Sequence, residues 1–267
     1  MEAIAVQPQT RRQLKTLRRV ILLSAIAAFF YVFKPFAAVY VLLILAITVH
    51  ELGHLIAGRL CGYRLVSFRV GPVEVRHLNL LQVPPSEKWT WQLHESPSSW
   101  VSGATIMLPT SHPVSKLMGR HLIYIIGGLV ANLMAAFLVL PIARLDTGVG
   151  AAGKGFIALS GLLILGNVLP TARRGHETDG RQIYGLLFNK NRREAQLFLL
   201  TIVGRLAAVH RFASNRDVAS AWRELQMILT TADRLIDSAT DADVRERIVT
   251  VRDSLLKSLP TLAAANA

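Results

Sequence analysis

Apolar residues fall along this chain in long unbroken runs, not in the alternation of a half-buried strand or the stripe of a surface helix. Four runs approach the length of about 20 residues that a helix needs to cross a hydrocarbon core: roughly 17–33, 36–60, 120–141 and 155–171. Lys34-Pro35 makes a very short connection between the first two. The third begins after Lys116 and Arg120 and ends near Pro141, and the fourth ends in a segment containing Asn167 and Pro170. The first run carries on through Phe29, Phe30 and Tyr31 without a short core and small-residue cleavage site, so it reads as an uncleaved anchor.

Between the second and third runs the pattern changes. Residues 62–117 alternate and are rich in β-branched and aromatic side chains, with Gly71-Pro72 and Pro84-Pro85 as punctuation. This predicts short strands, a hairpin lying at the membrane surface, with Trp89, Trp91 and Trp100 available at headgroup level. Beyond residue 180 the chain turns helical and mixed in charge. The apolar stretch in 194–210 is interrupted by Arg205 and is too short for a fifth span. Val244, Ile248, Val251 and Leu255 recur at helical spacing, and with the helix around Trp222 they predict a small helical tail. The expected fold is therefore an all-α integral membrane protein. It has about four transmembrane helices, a small β-hairpin insertion and a cytoplasmic helical tail. Its parts are a basic N-terminus (1–19), a membrane domain (20–185, with the β-rich loop at 62–117) and the tail (186–267).

Charge sets the orientation. Charged residues make up only 18% of the 267 against 52% apolar, yet the net charge is +13. Residues 214–267 hold seven Lys/Arg and eight Asp/Glu, so an excess of +14 lies in residues 1–213. The basic residues flank the apolar runs: Arg11, Arg12, Lys15, Arg18 and Arg19 before the first, and Arg64, Arg69, Arg76 and Lys88 after the second. The other two connections carry few. The bias toward basic cytoplasmic loops then puts both termini and the long loop in the cytoplasm, and compactness suggests a bacterial inner membrane. No nucleic-acid motif accompanies the charge, so nucleic acid is not expected as a partner. The single cysteine, Cys61, forms no intramolecular disulfide and reads as a small buried residue.

One of the runs contains chemistry. His50-Glu51-Leu52-Gly53-His54 matches H-E-x-x-H. Residues four apart share a helix face, so both imidazoles can reach one Zn²⁺, with Glu51 beside them as general base. Two histidines and a glutamate inside an apolar span are costly unless they have work to do there. A catalytic zinc takes three protein ligands, and the residues after the fourth run offer Asp179, His176 and Glu177, where Pro170 and Gly175 break the helix. Gly148-Val-Gly150-Ala-Ala-Gly153-Lys154 satisfies G-x-G-x-x-G, but no strand precedes it and Gly155 follows the lysine, so it reads as an external turn. His77, His94, His112, His121 and His210 fit no ligand spacing and read as interface or surface residues.

HELGH in one span, Gly127-Gly128 through Asn132 in the next, and Asn167-x-x-Pro170 followed by Asp179-Gly180 resemble the three signatures of the site-2 protease (M50-type) family of intramembrane zinc metalloproteases. The resemblance covers roughly residues 36–185; the interval before Asp179 is longer than the common family form, by Arg173–Glu177. It implies that His50, His54 and Asp179 bind zinc, that Glu51 activates water, and that Asn132 and Asn167 hold substrate or support the site. It also implies a transmembrane protein substrate, cut near the cytoplasmic side of the bilayer. Two other readings remain open at this level. One is a catalytically silent zinc-binding membrane protein that binds or regulates others; the second is a different membrane zincin, with Glu177 or Glu194 as third ligand.

Overall fold

The computed structural model describes Val20, Ser24 and residues 31–79, 86–109, 114–173, 176–214, 217–239 and 242–264. The predicted span at 17–33 lies almost wholly outside the described residues. Among the described residues, three helices are long and apolar enough to cross a membrane: α1 (Lys34–Leu60), α2 (Val114–Ala143) and α3 (Gly148–Val168). At 1.5 Å per residue they run about 30–45 Å, enough to cross a hydrocarbon core. Their outward faces stay apolar: Val39, Val41, Leu45, Leu52 and Ile56 on α1 and Phe137, Leu138 and Leu140 on α2 are all exposed. That suits a surface solvated by lipid.

What holds α1 to α2 is the absence of side chains. A Cβ on Gly53 would sit 2.3 Å from the Gly127 carbonyl oxygen, and one on Gly127 would sit 2.5 Å from Ala57 Cβ. Small residues let two backbones meet, which in lipid replaces the hydrophobic drive toward association. The same economy corrects the expected turn at 148–154. Those residues form the first turns of α3, N-capped by Thr147, whose side chain accepts from the Gly150 amide. A Cβ on Gly150 would lie 1.9 Å from the Leu145 oxygen, so the glycine there serves packing, not phosphate binding.

The β-rich loop is larger than a hairpin, and its sheet packs along α1. Strands β1 (Tyr63–Val70), β2 (Val73–Asn79), β3 (Ser86–Leu93) and β4 (Gly103–Pro109) form an antiparallel sheet in the order β3-β2-β1-β4. Gly71, at φ 58°, makes the turn between β1 and β2. The sheet runs beside α1 for most of its length. Tyr40 Oη donates to the Trp100 carbonyl at 3.1 Å, Gly71 approaches Ile44, Gly103 approaches Glu51, and Met107 fills the space over Gly58. From Tyr40 to Gly58 is about 27 Å of helix. Pairing on both sides satisfies the amides and carbonyls of β1 and β2, while β3 and β4 form the sheet's edges. Trp89 and Trp91 are exposed on β3, while Trp100 is half-buried in a 3-10 turn at Pro97–Val101.

After α3, two short strands, β5 (Ala172–Arg173) and β6 (His176–Glu177), pair and lead into α4 (Asp179–Phe188). Helices α5 (Lys190–Ser214), α6 (Val218–Ser238) and α7 (Ala242–Ala264) follow. They share a core of Phe198, Ile202, Leu225, Ile228, Leu235, Val244, Ile248 and Leu255, with Val251 packed against it. The helical spacing read at 244–255 is thus a packed face. A second core of Tyr63, Leu65, Met107, Leu117, Tyr124, Ile125 and Leu186 joins the sheet, α2 and α4, and Leu197 and Leu200 of α5 pack on it. Cys61 is buried there, and burial pushes its thiol above the ordinary range, which leaves it inert.

The glycine contact predicts a sharp contrast between two like substitutions. Gly127→Ala forces Cβ into α1 and should lower stability by about 1–3 kcal/mol. Gly119→Ala, on the same helix with nothing within 4 Å of its added Cβ, should be neutral or slightly stabilising. Thermal unfolding of both variants in detergent, side by side, checks this.

Candidate metal centre

His50, Glu51 and His54 are all buried on α1, at 5%, 6% and 6% exposure. Their spacing turns the two imidazoles toward one point: the Nε2 atoms lie 3.1 Å apart and the rings meet edge to face at 4.7 Å. His54 Nδ1 lies 2.9 Å from the Tyr124 carbonyl oxygen. A carbonyl only accepts, so Nδ1 carries the hydrogen and Nε2 keeps its lone pair for a metal.

Asp179 comes to the same point from the far side. It is the first residue of α4, and the residue before it holds the turn. Thr178 caps the helix by accepting from the Arg181 amide, and its hydroxyl donates to the Leu169 carbonyl at 2.6 Å. Gly180 is required by the end of α3, since a Cβ there would lie 1.8 Å from the Val168 oxygen. The Asp179 Oδ2 atom stands 3.1 Å from His50 Nε2 and 3.5 Å from His54 Nε2. Burial raises the Asp179 carboxyl, but hydrogen bonds from His50 and His54 outweigh it, and the net displacement is below the usual carboxylate range. Its charged form is therefore the one this site favours.

The donor set fits a metal. One nitrogen from each histidine and one carboxylate oxygen lie within 4.8 Å of one another, a combination suited to zinc. Space has been kept for it. A Cβ on Gly128 would fall 2.5 Å from His54 Nε2 and 2.7 Å from His50 Cε1, so α2 faces the three ligands without a side chain.

Glu51 is oriented from the sheet. Thr105 on β4 donates its hydroxyl to Glu51 Oε2 at 2.7 Å and lies 3.1 Å from the Glu51 carbonyl. Gly103 lies against the same carboxylate, where a Cβ would be 2.4 Å from Oε1. Tyr124 ties these parts together, donating its hydroxyl to the Thr105 carbonyl while its own carbonyl holds His54. None of Thr105, Gly103 or Tyr124 was singled out by the sequence. Thr105 is 54 residues from Glu51 and stands in an ordinary strand, so only the tertiary fold reveals it.

Asn132 is fully buried, and neither atom of its amide has a hydrogen-bond partner among the described residues. It lies one turn beyond Gly128, on the helix face that looks at the ligands. Asn167 is half-buried in the last turn of α3, where its carbonyl backs onto Gly180, and it is not one of the three clustered ligands. Glu177 was expected to be a solvated loop residue or a rival ligand. Instead its carboxylate is 7% exposed and paired with Arg192 at 2.6 Å. Glu194 pairs with Arg234 at 3.7 Å. The expectation of surface histidines fails for His121, which is buried against both Tyr63 and Tyr124. His94 Nε2 lies 2.6 Å from Glu74 Oε2. His112 lies outside the described residues.

The model of one family, described as "Peptidase family M50", matches residues 38–260. No curated protein and no solved structure matches the chain.

Purified protein should hold about one zinc per chain, and His54→Ala or Asp179→Ala should each lose it. Gly128→Val should lose it as well, because its side chain would occupy the space between the ligands. Elemental analysis of the detergent-purified variants gives the answer; zinc retained at wild-type level in Asp179→Ala would rule out this ligand set.

Proposed function

The chain belongs to peptidase family M50, and on that premise we propose that it is an integral-membrane zinc metalloprotease hydrolysing peptide bonds within transmembrane segments of other proteins. The observation that carries the reading is the buried juxtaposition of His50, His54 and Asp179, with Glu51 held beside them by Thr105.

His50, His54 and Asp179 would hold the zinc, which would supply Lewis acidity for a carbonyl and a water. The residues supply the rest. Glu51 takes a proton from the attacking water and returns it to the leaving amine nitrogen, so one carboxylate serves both half-steps. Thr105 fixes which carboxylate oxygen is engaged and leaves the other, Oε1, toward Gly103. β4 is an edge strand of the sheet, and its glycine lets backbone approach the carboxylate. An extended, locally unwound substrate segment lying along that edge brings its peptide bond to the site. The buried Asn132 amide, costly without a partner at about 1–3 kcal/mol, is placed to take hydrogen bonds from substrate backbone. Asn167 supports the Asp179 turn through its main chain.

His54 is six residues from the end of α1 at Leu60, about 9 Å of helix. With both termini and the β-rich loop on the cytoplasmic side, the orientation the loop charges favour, cleavage falls toward that side. The bacterial inner membrane remains the setting this reading favours.

Glu51→Gln should cut proteolysis by about 10²–10⁴-fold while leaving the zinc in place. Thr105→Val should lower turnover more than apparent substrate affinity, and Thr105→Ser should restore most of it. Candidate substrates recovered with Glu51→Gln in membranes provide the assay. A Glu51→Gln protein with full biological effect would instead identify a silent, zinc-holding binding protein.

A further inference from the structure

The residue two positions before Asp179 is tied to a part of the chain that the metal site does not use. Glu177, on β6, is 7% exposed, and its two carboxylate oxygens face two different helices. Oε2 lies 2.6 Å from Arg192 Nη2 at the start of α5, and that arginine side chain is itself 6% exposed. Oε1 lies 3.4 Å from Arg247 Nη2 on α7, 43% exposed. Gly185 of α4 leaves room for the Arg192 side chain, since a Cβ there would lie 2.5 Å from Arg192 Cδ. The strand just before α4 is thus ion-paired to α5 and α7, and α4 itself packs on the stem of one of the two arginines.

This arrangement is costly unless it is complete. A buried carboxylate and a buried guanidinium each lose their hydration, and removing either partner strands the other charge. The remaining ties on the Asp179 turn are local: Thr178 to Leu169, and the two-residue pairing of β5 with β6. Such short pairings are marginal by themselves. Glu177 is the one side chain in this turn that reaches the packed core of α5, α6 and α7 by ion pairs, among the described residues.

We propose that the C-terminal helices clamp the third metal ligand: Glu177, held by Arg192 and Arg247, is a positioning residue that fixes the turn presenting Asp179. The proposal rests on the metalloprotease reading and deepens it by giving the C-terminal helices a role at the site. The two arginines are unequal in this. Arg192 is the buried, permanent arm; Arg247 is the accessible one, so it sets how tightly the turn is held without being needed for the fold.

The test uses the full-length, detergent-purified chain and measures apparent zinc affinity by competition with a chelator, alongside the melting temperature of the zinc-free protein. Groups that hold a metal ligand from behind change affinity by about 10–100-fold. Glu177→Gln should fall in that range. Arg247→Ala, removing the outer arm alone, should weaken zinc by roughly 3–10-fold, at or below the low end of that span. Arg247→Lys should recover part of the loss. Arg245→Ala, an exposed residue of the same helix, loses the same charge and should stay within about twofold of wild type. Weakened zinc binding in Arg247→Ala, with the zinc-free melting temperature unchanged, supports the clamp. Wild-type zinc affinity in Arg247→Ala overturns it even if the melting temperature drops, because the pair would then be merely structural. That outcome leaves the metalloprotease reading intact. A wild-type protein that binds no zinc overturns both. Should Glu177→Gln fail to fold, the Arg247 variants decide alone.

Discussion

Everything at the centre of this molecule depends on two helix backbones touching where neither carries a side chain. Gly53 and Gly127 bring α1 and α2 so close that a Cβ on either would lie within about 2.6 Å of the other helix. The next residue on α2, Gly128, then faces His50 and His54 with nothing but backbone. Each consequence follows from the last. Close approach puts the Tyr124 carbonyl within reach of His54, that bond fixes the His54 tautomer, and the fixed tautomer aims the His54 Nε2 lone pair into the space that His50 Nε2 also faces. A larger residue at either position would separate the helices and empty the arrangement of its chemistry.

The sheet is the second half of the same design. A polar base cannot lie in an apolar helix surface without partners, and α1 has none of its own to offer Glu51. They come from β4, which runs alongside the helix and contributes a hydroxyl from Thr105 and clearance from Gly103. Tyr124 then closes a chain of three hydrogen-bonded links from His54 through the strand to Glu51. The base and one ligand are thus fixed by a single polar thread. Displacing the strand by even an ångström would disturb both.

How far this was legible in the sequence depends on distance along the chain. The histidines and Glu51 were readable because a helix converts spacing of four residues into a shared face. The helices themselves were readable from hydropathy, although α3 begins seven residues earlier than its apolar run, since glycines that looked like a turn serve packing. Asp179 was one of three downstream candidates until the resemblance singled it out, and the structure brings its carboxylate to the histidines. Contacts across long separations left no trace. Thr105 reaching Glu51, His121 packed against Tyr63, and Glu177 meeting Arg247 each join segments that pattern analysis treats independently. Alternation reports pairing but not how many strands pair or what they lie against, so the sequence suggests a hairpin where a four-stranded sheet packs on α1.

A ligand carried by a turn raises a problem that ligands on a helix do not. His50 and His54 inherit rigidity from 27 residues of α1. Asp179 sits at the very start of α4, after a helix end, a proline and two strands of two residues each, so α4 supports it from one side only. Geometry at a metal site has to hold within about half an ångström. The turn must therefore borrow stiffness from both sides. On one side it takes it from the main chain of α3, through Gly180 and Thr178. On the other it takes it from the packed helices beyond, through Glu177 and its two arginines. A chain whose third ligand is fixed from outside the membrane helices need not be equally ready to bind metal in every state. Under the proposed clamp, its readiness follows how those outer helices are held, through the exposed arm at Arg247.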